Sequence, residues 1–368
     1  MTTAPVSLFD ADREMLSTLL DDQPRYRLDQ LWKGLYVDLV EPPEISTLPA
    51  PVRARIADSL PSALAEVTES MTPDGDTVKW LWRLSDGAAI ETVLMHYPDR
   101  STVCVSTQAG CAMACGFCAT GQGGFERNLT TGEIVEQVVR AARRARSGSQ
   151  PRRVSNIVFM GMGEPFANYD RVMDAVTRIN TDIGISARHL TISTVGIVPG
   201  IRRLAGEPLP VNLAVSLHAA NDHLRDELVP INRRYPLADL FGACEDYLSV
   251  KNRRLSFEWA LIDGVNDRPD DVRELADATR RLRAHVNLIP LNDTPGWPTK
   301  GSPPARVREF AEELRRLGVN ATIRANRGTD IAAACGQLRA AHDDSTGPTV
   351  TELPARIERR RRPPAGTD

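Results

Sequence analysis

The chain has 368 residues, is 42% hydrophobic and 25% charged, and carries a formal net charge of −3. That composition is that of a soluble globular protein of one large domain or two ordinary ones. Without an apolar run of about 18 residues it leaves no room for a helical membrane span. The start, Met1-Thr-Thr-Ala-Pro-Val-Ser-Leu-Phe-Asp10, lacks the basic and apolar regions of a signal peptide, so the expected compartment is the cytoplasm. In that compartment the six cysteines, at 104, 111, 115, 118, 244 and 335, read as ligands or catalysts before they read as a disulfide frame.

Residues 1 to about 75 are expected to be mainly helical. Residues 11–20 and 28–36 repeat apolar side chains at helical spacing, and Pro42-Pro43 and Pro49-Ala-Pro51 are expected to break the helices. The aromatics of Tyr26–Tyr36 are expected to pack, whereas an RNA-facing surface would account for Arg27 and Lys33. Residues 78–84 and 89–95 flank Ser85-Asp-Gly87, a hairpin signal.

After Asp99, short apolar runs alternate with amphipathic stretches. Strands are expected at 102–107, 156–160, 190–193, 211–217, 255–262 and 286–291. Helices are expected at 131–146, 169–181, 201–205, 237–250, 269–284 and 304–317. Such alternation predicts a parallel α/β sheet, barrel-like or doubly wound, with its chemistry at the C-terminal ends of the strands.

Cys111-Ala-Met-Ala-Cys115-Gly-Phe-Cys118 follows the first of these strands. Soft thiolates select zinc, copper(I) or iron–sulfur clusters. Three of them either need a fourth ligand from elsewhere to close a zinc site, or leave one iron of a [4Fe–4S] cluster open. Gly161-Met-Gly-Glu164-Pro165 follows the second strand, where its glycines permit close backbone approach and Glu164 suits an ammonium group; an ordinary glycine turn has the same pattern. Cys335 lies in Arg327-Gly-Thr-Asp-Ile-Ala-Ala-Ala-Cys-Gly-Gln-Leu338, whose small residues would give a reactive sulfur room or simply bury it. Cys244 is expected in the core. Arg140, Arg143, Arg144, Arg146, Arg152 and Arg153 form a run without acids, expected either to guide RNA phosphates toward the barrel mouth or to be a solvated helix face. The stretch beyond about Ala341, rich in Pro, Thr and Arg and ending in Arg359-Arg-Arg-Arg-Pro-Pro-Ala-Gly-Thr-Asp368, is expected to be a disordered tail.

The cysteine loop and its continuation, Cys111-Ala-Met-Ala-Cys-Gly-Phe-Cys-Ala-Thr-Gly-Gln-Gly-Gly-Phe-Glu-Arg-Asn-Leu129, closely resemble the radical S-adenosylmethionine (SAM) enzymes that methylate adenine C2 in 23S ribosomal RNA and transfer RNA. Glu91-Thr-Val, Gly161-Met-Gly-Glu-Pro165, Ser216-Leu-His218 and Ala333-Ala-Cys-Gly-Gln-Leu338 extend the likeness from about Tyr26 to about Leu338. The resemblance implies an α/β open partial (β/α)6 barrel. It further implies an accessory region at 1–96 with RNA-binding helices and a linking hairpin, a core with its catalytic loop at 97–342, and the tail at 343–368. By the same likeness Cys111, Cys115 and Cys118 hold a [4Fe–4S] cluster, and Gly163, Glu164, Ser193, Ser216, Leu217, His218 and Asn292 contact SAM. One SAM methylates Cys335; a second yields the 5′-deoxyadenosyl radical that activates that methyl group for addition to C2. Glu91 removes the C2 proton, and a disulfide of Cys335 with Cys104 releases the product. The partners implied are 23S rRNA, tRNA, an electron donor and a thiol reductant, with the chain as a monomer. The alternatives are C8 methylation of adenine by a sister branch, and a non-catalytic zinc-containing RNA-binding protein.

Overall fold

The computed structural model describes residues 6–147, 150–251, 253–294, 296–339 and 357. Apart from Ile357, the tail expected at 343–368 lies outside the described residues.

The chain begins with helices α1 (Arg13–Leu19), α2 (Tyr26–Lys33) and α3 (Ala50–Ser59). Asp12 caps α1 by accepting the Met15 N–H at 2.8 Å. The prolines at 49 and 51 were expected to break the helical region, but α3 starts there instead. Pro51 occupies its first turn, where a missing N–H costs nothing. Trp32 and Tyr36 pack ring on ring at 4.7 Å, and Tyr36 is buried. Tyr26 is exposed, with Arg27 over its ring.

Strands β1 (Ala65–Met71), β2 (Thr77–Arg83) and β3 (Ala89–His96) form an antiparallel meander, and β3 pairs antiparallel with β4 (Ser101–Cys104). The expected hairpin is therefore present, with one more strand, β1, on its outer side. A small second sheet follows, β5 (Gln108–Gly110) with β6 (Phe125–Asn128), enclosing the cysteine loop and the short α4 (Ala119–Gln122).

The rest alternates. Helix α5 (Thr131–Ser147) leads to β7 (Val154–Phe159), α6 (Tyr169–Thr181) to β8 (Leu190–Thr194), and α7 (Val198–Gly206) to β9 (Asn212–Ser216). Then α8 (Asp222–Leu228) and α9 (Leu237–Lys251) precede β10 (Leu255–Leu261), α10 (Pro269–Arg280) precedes β11 (His285–Pro290), and α11 (Pro304–Arg316) precedes β12 (Asn320–Ile323). In space the order is β1-β2-β3-β4-β7-β8-β9-β10-β11-β12, and every pairing from β4 onward is parallel. The result is an open sheet of six strand–helix units closed off by β12, with the antiparallel meander on its other flank. β12 was not expected: it is four residues long and mostly exposed, so it carries no buried-strand pattern. α10 ends short of the expected position because Arg283 takes a left-handed backbone conformation, φ 46°.

α5 shows how the outer layer is fixed. Thr130 and Glu133 exchange hydrogen bonds in a capping box (3.1 and 2.8 Å), and Asp10 accepts the Gly132 N–H at 2.6 Å. Its apolar stripe, Ile134, Val135, Val138 and Val139, is buried, each side chain contributing about 1.5–3 kcal/mol.

The arginines at the other end of α5 correct the expectation that they steer RNA to the mouth. Arg140 donates to Ser62 and to the Leu64 carbonyl, Arg143 to the Leu39 carbonyl and Glu41, Arg144 to Glu69, and Arg146 to the Val37 carbonyl. Arg152 and Arg153 bind the Tyr97 and Gly184 carbonyls. A crossover helix runs antiparallel to its strands, so its C-terminal end lies at the strand N-termini, away from the mouth. There Arg140, Arg143, Arg144 and Arg146 fasten the N-terminal helical region and β1 to the barrel. No helix among the described residues is long and apolar enough to cross a membrane.

Candidate active site

The C-terminal ends of the parallel strands surround a cavity of about 160 Å³. On one wall stand Cys111, Cys115 and Cys118, brought there by the β5–β6 hairpin. The Cys111 N–H donates to the Gly124 carbonyl at 2.6 Å, and the Cys118 N–H to the Cys115 carbonyl at 3.1 Å. A Cβ on Gly116 would lie 2.3 Å from the Trp297 ring, so only glycine lets the loop seat this deeply. Burial pushes all three thiols up, Cys111 to about 12, and the Cys111 and Cys118 thiols raise Cys115 further.

The facing wall comes from the ends of β7, β8, β9 and β10 and includes Gly163, Glu164, Ser193, Ser216, His218 and Glu258. Gly163 has φ 104° and packs on Gln108, whose Cβ would be 2.6 Å from an added Cβ. Glu164 is buried and accepts the N–H groups of Phe166 (3.0 Å) and Val195 (2.8 Å). Burial nevertheless lifts it to about 7, which leaves the site short of one positive charge. His218 accepts the Ala260 N–H on Nδ1 at 3.0 Å, so its proton sits on Nε2. Burial first, then the positive charge of Arg225, lowers it to about 3 and keeps it neutral. Leu217 does not line the cavity; its side chain is in the core and its carbonyl accepts from Arg225 Nε at 3.1 Å.

A segment from Gly328 to Arg339 crosses the mouth and carries Cys335. On the cysteine-loop side, Ala119 N–H donates to the Gly336 carbonyl (2.8 Å) and Thr120 Oγ1 to the Leu338 carbonyl (2.6 Å), while Asn292 Nδ2, just past β11, donates to the Cys335 carbonyl (3.0 Å). On the meander side, Lys79 Nζ donates to the Ala332 carbonyl (3.3 Å) and Arg339 N–H to Glu91 Oε2 (2.8 Å). Cys335 lines the large cavity and also a second one of about 20 Å³ behind it, shared with Cys104, Met160 and Arg324. Burial pushes Cys104 up to about 12, and the Cys335 thiol adds to the rise. Arg324 lines both cavities and is held strongly protonated, first by Cys335 and then, against the opposing effect of burial, by Glu258.

Residues 105–278 match the Radical SAM superfamily model. The chain is 51% identical to a probable dual-specificity RNA methyltransferase RlmN from Frankia casuarinae, over 91% of this chain and 82% of that one. With the protein of the same name from Chloroflexus aurantiacus it shares 48% identity over 95% and 96%. The crystal structure of a radical SAM methyltransferase from Sphaerobacter thermophilus superimposes with a TM-score of 0.88 at 51% identity, covering 92% of this chain and 100% of that one. The chain belongs to the RlmN-type RNA methyltransferases of the radical SAM family.

Its likeness to the RlmN-type relatives makes this a SAM-dependent RNA methyltransferase, and the radical SAM family implies a [4Fe–4S] cluster as its second cofactor. The residues present fit both groups. Three thiols share one cavity wall and couple electrostatically, the donor set a thiolate-held cluster needs. Among the described residues no group of side chains converges closely enough to hold a single metal ion, so the fit rests on that wall and coupling. Opposite them, the carboxyl of Glu164 matches the ammonium of an amino-acid ligand.

Several residues of this RNA methyltransferase gave no sequence signal. Arg225 is fully buried beneath the cavity. Its guanidinium donates to Asn232 Oδ1 (2.8 Å) and to the carbonyls of Val195 (2.6 Å), Leu217 (3.1 Å) and Ser216 (3.2 Å). It is one of 45 cations in the chain and lies in an ordinary amphipathic helix. Arg324 and Glu258 were likewise indistinguishable from surface charges. Cys244 is buried in α9, in the core.

Proposed function

We propose that this enzyme methylates C2 of adenine in 23S rRNA and tRNA through a methylated Cys335, with two SAM molecules consumed per turnover. The observation that carries this reading is the position of Cys335 in the wall between two cavities, one lined by the three clustered thiols and Glu164, the other by Cys104. A sulfur so placed faces a methyl donor on one side and a resolving thiol on the other.

C2 of adenine is not nucleophilic, so direct methyl transfer from SAM fails; the cluster and SAM together supply the radical chemistry that overcomes this. Cys111, Cys115 and Cys118 would hold the cluster. Glu164 would bind the SAM ammonium, with Gly163, Ser193, Ser216, His218 and Asn292 around it and the Leu217 backbone below. Cys335 would carry the carbon and Glu91 accept the C2 proton. Cys104 would attack the Cys335 sulfur, freeing methylated RNA and leaving a disulfide for an external thiol reductant. An electron donor feeds the cluster. The target adenine must be unstacked to reach the mouth, which suits RNA loops. The enzyme would work as a monomer in the cytoplasm, where thiols stay reduced.

The test is to incubate anaerobically reconstituted enzyme with 23S rRNA and tRNA transcripts and SAM bearing a trideuterated methyl group. Mass spectrometry of the nucleosides should then find 2-methyladenosine retaining two of the three deuterons, because one leaves with 5′-deoxyadenosine. 8-Methyladenosine would assign the sister reaction, and a methyl group with all three deuterons would rule out the methylene route.

A further inference from the structure

The β2–β3–β4 register places three functional side chains on one face. Lys79 lies opposite Val93, and Val93 opposite Cys104. Glu91, two residues before Val93, shares that face because side chains alternate along a strand. Lys79 Nζ is 2.8 Å from Glu91 Oε1, and the two side chains are only 15% and 7% exposed. The same Nζ donates to the carbonyl of Ala332 at 3.3 Å, and Glu91 Oε2 accepts the N–H of Arg339 at 2.8 Å. One ion pair thus grips the segment on both sides of Cys335. Ala332 is in the left-handed region, φ 51°, a conformation an alanine holds only when its surroundings impose it. The contacts of Ala119 and Thr120, beside the cysteine loop, and of Asn292, just past β11, hold Gly336, Leu338 and Cys335 independently of Lys79.

We propose that Lys79 is a positioning residue for proton removal: it fixes the Glu91 carboxylate relative to the segment bearing Cys335, so that release of RNA from Cys335 depends on it while methylation of Cys335 does not. The inference rests on the reading of Cys335 as carbon carrier and Glu91 as proton acceptor. In the step concerned the C2–H bond of the RNA adduct breaks, its proton passes to a Glu91 oxygen, and its electron pair stays in the purine ring. Lys79 sets which way the carboxylate oxygens of Glu91 face. The three contacts from Ala119, Thr120 and Asn292 keep the Cys335 sulfur at the large cavity, so loading does not need the ammonium.

The experiment uses the full, anaerobically reconstituted enzyme with a 23S rRNA transcript, comparing Lys79→Met, Lys79→Arg and Glu91→Gln. Without RNA, Lys79→Met should methylate Cys335 within about 3-fold of the parent rate, measured by mass spectrometry of the Cys335 peptide. With RNA its turnover should fall by about 10-fold or more, and a covalent protein–RNA band should accumulate on denaturing gels. Lys79→Arg, which keeps the charge and confirms that the variants fold, should recover most turnover and lose the band. Loading and turnover falling together in Lys79→Met without an adduct would make Lys79 a structural residue and overturn the proposal, as would unchanged turnover. If Glu91→Gln traps the adduct and Lys79→Met does not, the role of Glu91 stands and that of Lys79 falls. If Glu91→Gln turns over normally, the reading of Glu91 falls and takes this inference with it.

Discussion

The two sides of Cys335 are built differently. On one side lies the large cavity, walled by strand ends and the cysteine loop. Its charged groups are buried and their ionisation displaced: Glu164 is lifted, His218 is lowered, and the three thiols are raised. On the other side lies a space of about 20 Å³ containing Cys104 and flanked by Arg324 and Arg327. The first has room and electrostatics for a cofactor; the second has room for little more than a sulfur. On the proposed mechanism one chamber would move carbon and the other exchange sulfur, and Cys335 lines both.

The sharpest way to break this comparison is to remove the shared residue and then its neighbours. Cys335→Ala should abolish RNA methylation while leaving iron content and SAM cleavage intact, as measured by iron and sulfide analysis and 5′-deoxyadenosine formation. Cys104→Ala should keep the first half-reaction and stall with RNA attached to Cys335, visible on denaturing gels. Alanine at Cys111, Cys115 or Cys118 should instead lose iron and SAM cleavage together. Full iron content in any one of the three would move the cluster elsewhere.

A smaller effect isolates the floor of the large cavity. Arg225→Met strands the acceptors at Val195, Ser216, Leu217 and Asn232 in a buried site. The expected loss is about 3 kcal/mol of stability, read by urea denaturation, and SAM affinity should fall with it. A variant as stable as the parent would show that water replaces the guanidinium without cost.

The pH dependence of SAM binding sharpens the electrostatic half of the comparison. The Glu164 carboxyl is raised from 4.5 to about 7 by burial, so the SAM-free fold binds a proton there that the unfolded chain releases above about pH 4.5. Its contribution to stability is therefore greatest below about pH 4.5 and is lost as pH rises through 7. An ammonium beside it reverses the preference. The rise in Tm caused by SAM should accordingly be larger at about pH 8 than at about pH 6. Glu164→Gln should remove that difference, and a pH-independent shift in the parent would mean that the ammonium binds elsewhere.

The smallest effect belongs to the arginines far from both chambers. Charge-neutral replacement of Arg143, Arg144, Arg152 and Arg153 should cost about 1–3 kcal/mol by removing their contacts with Leu39, Glu41, Glu69, Tyr97 and Gly184. The salt dependence of RNA binding should stay unchanged. A flattened salt slope would return these residues to the RNA interface.

The sequence by itself determined what is written in local chemistry and periodicity. Thr130-x-x-Glu133 and the apolar stripe of α5 fix a helix wherever they occur. Alternating strand and helix patterns gave a parallel α/β sheet without choosing between barrel and doubly wound forms, a choice only the family resemblance made, and the CxxxCxxC spacing placed three thiols on one loop. Short or unusual elements escaped, because β12 is too exposed to be patterned and Pro51 at a helix start looks like a breaker. Only the tertiary structure decided which charges matter. Arg225, Arg324, Glu258 and Lys79 carry nothing in their sequence neighbourhoods that separates them from solvated residues, since burial and partnership are made by segments distant in the chain. The arginines of α5 show the converse. A basic run resembles a nucleic-acid surface until the direction of its helix, set by the parallel topology, places it at the far end of the barrel. Lys79 and Ala332 lie 253 positions apart and meet only because β3 pairs with β4 and brings the meander beside the segment crossing the mouth.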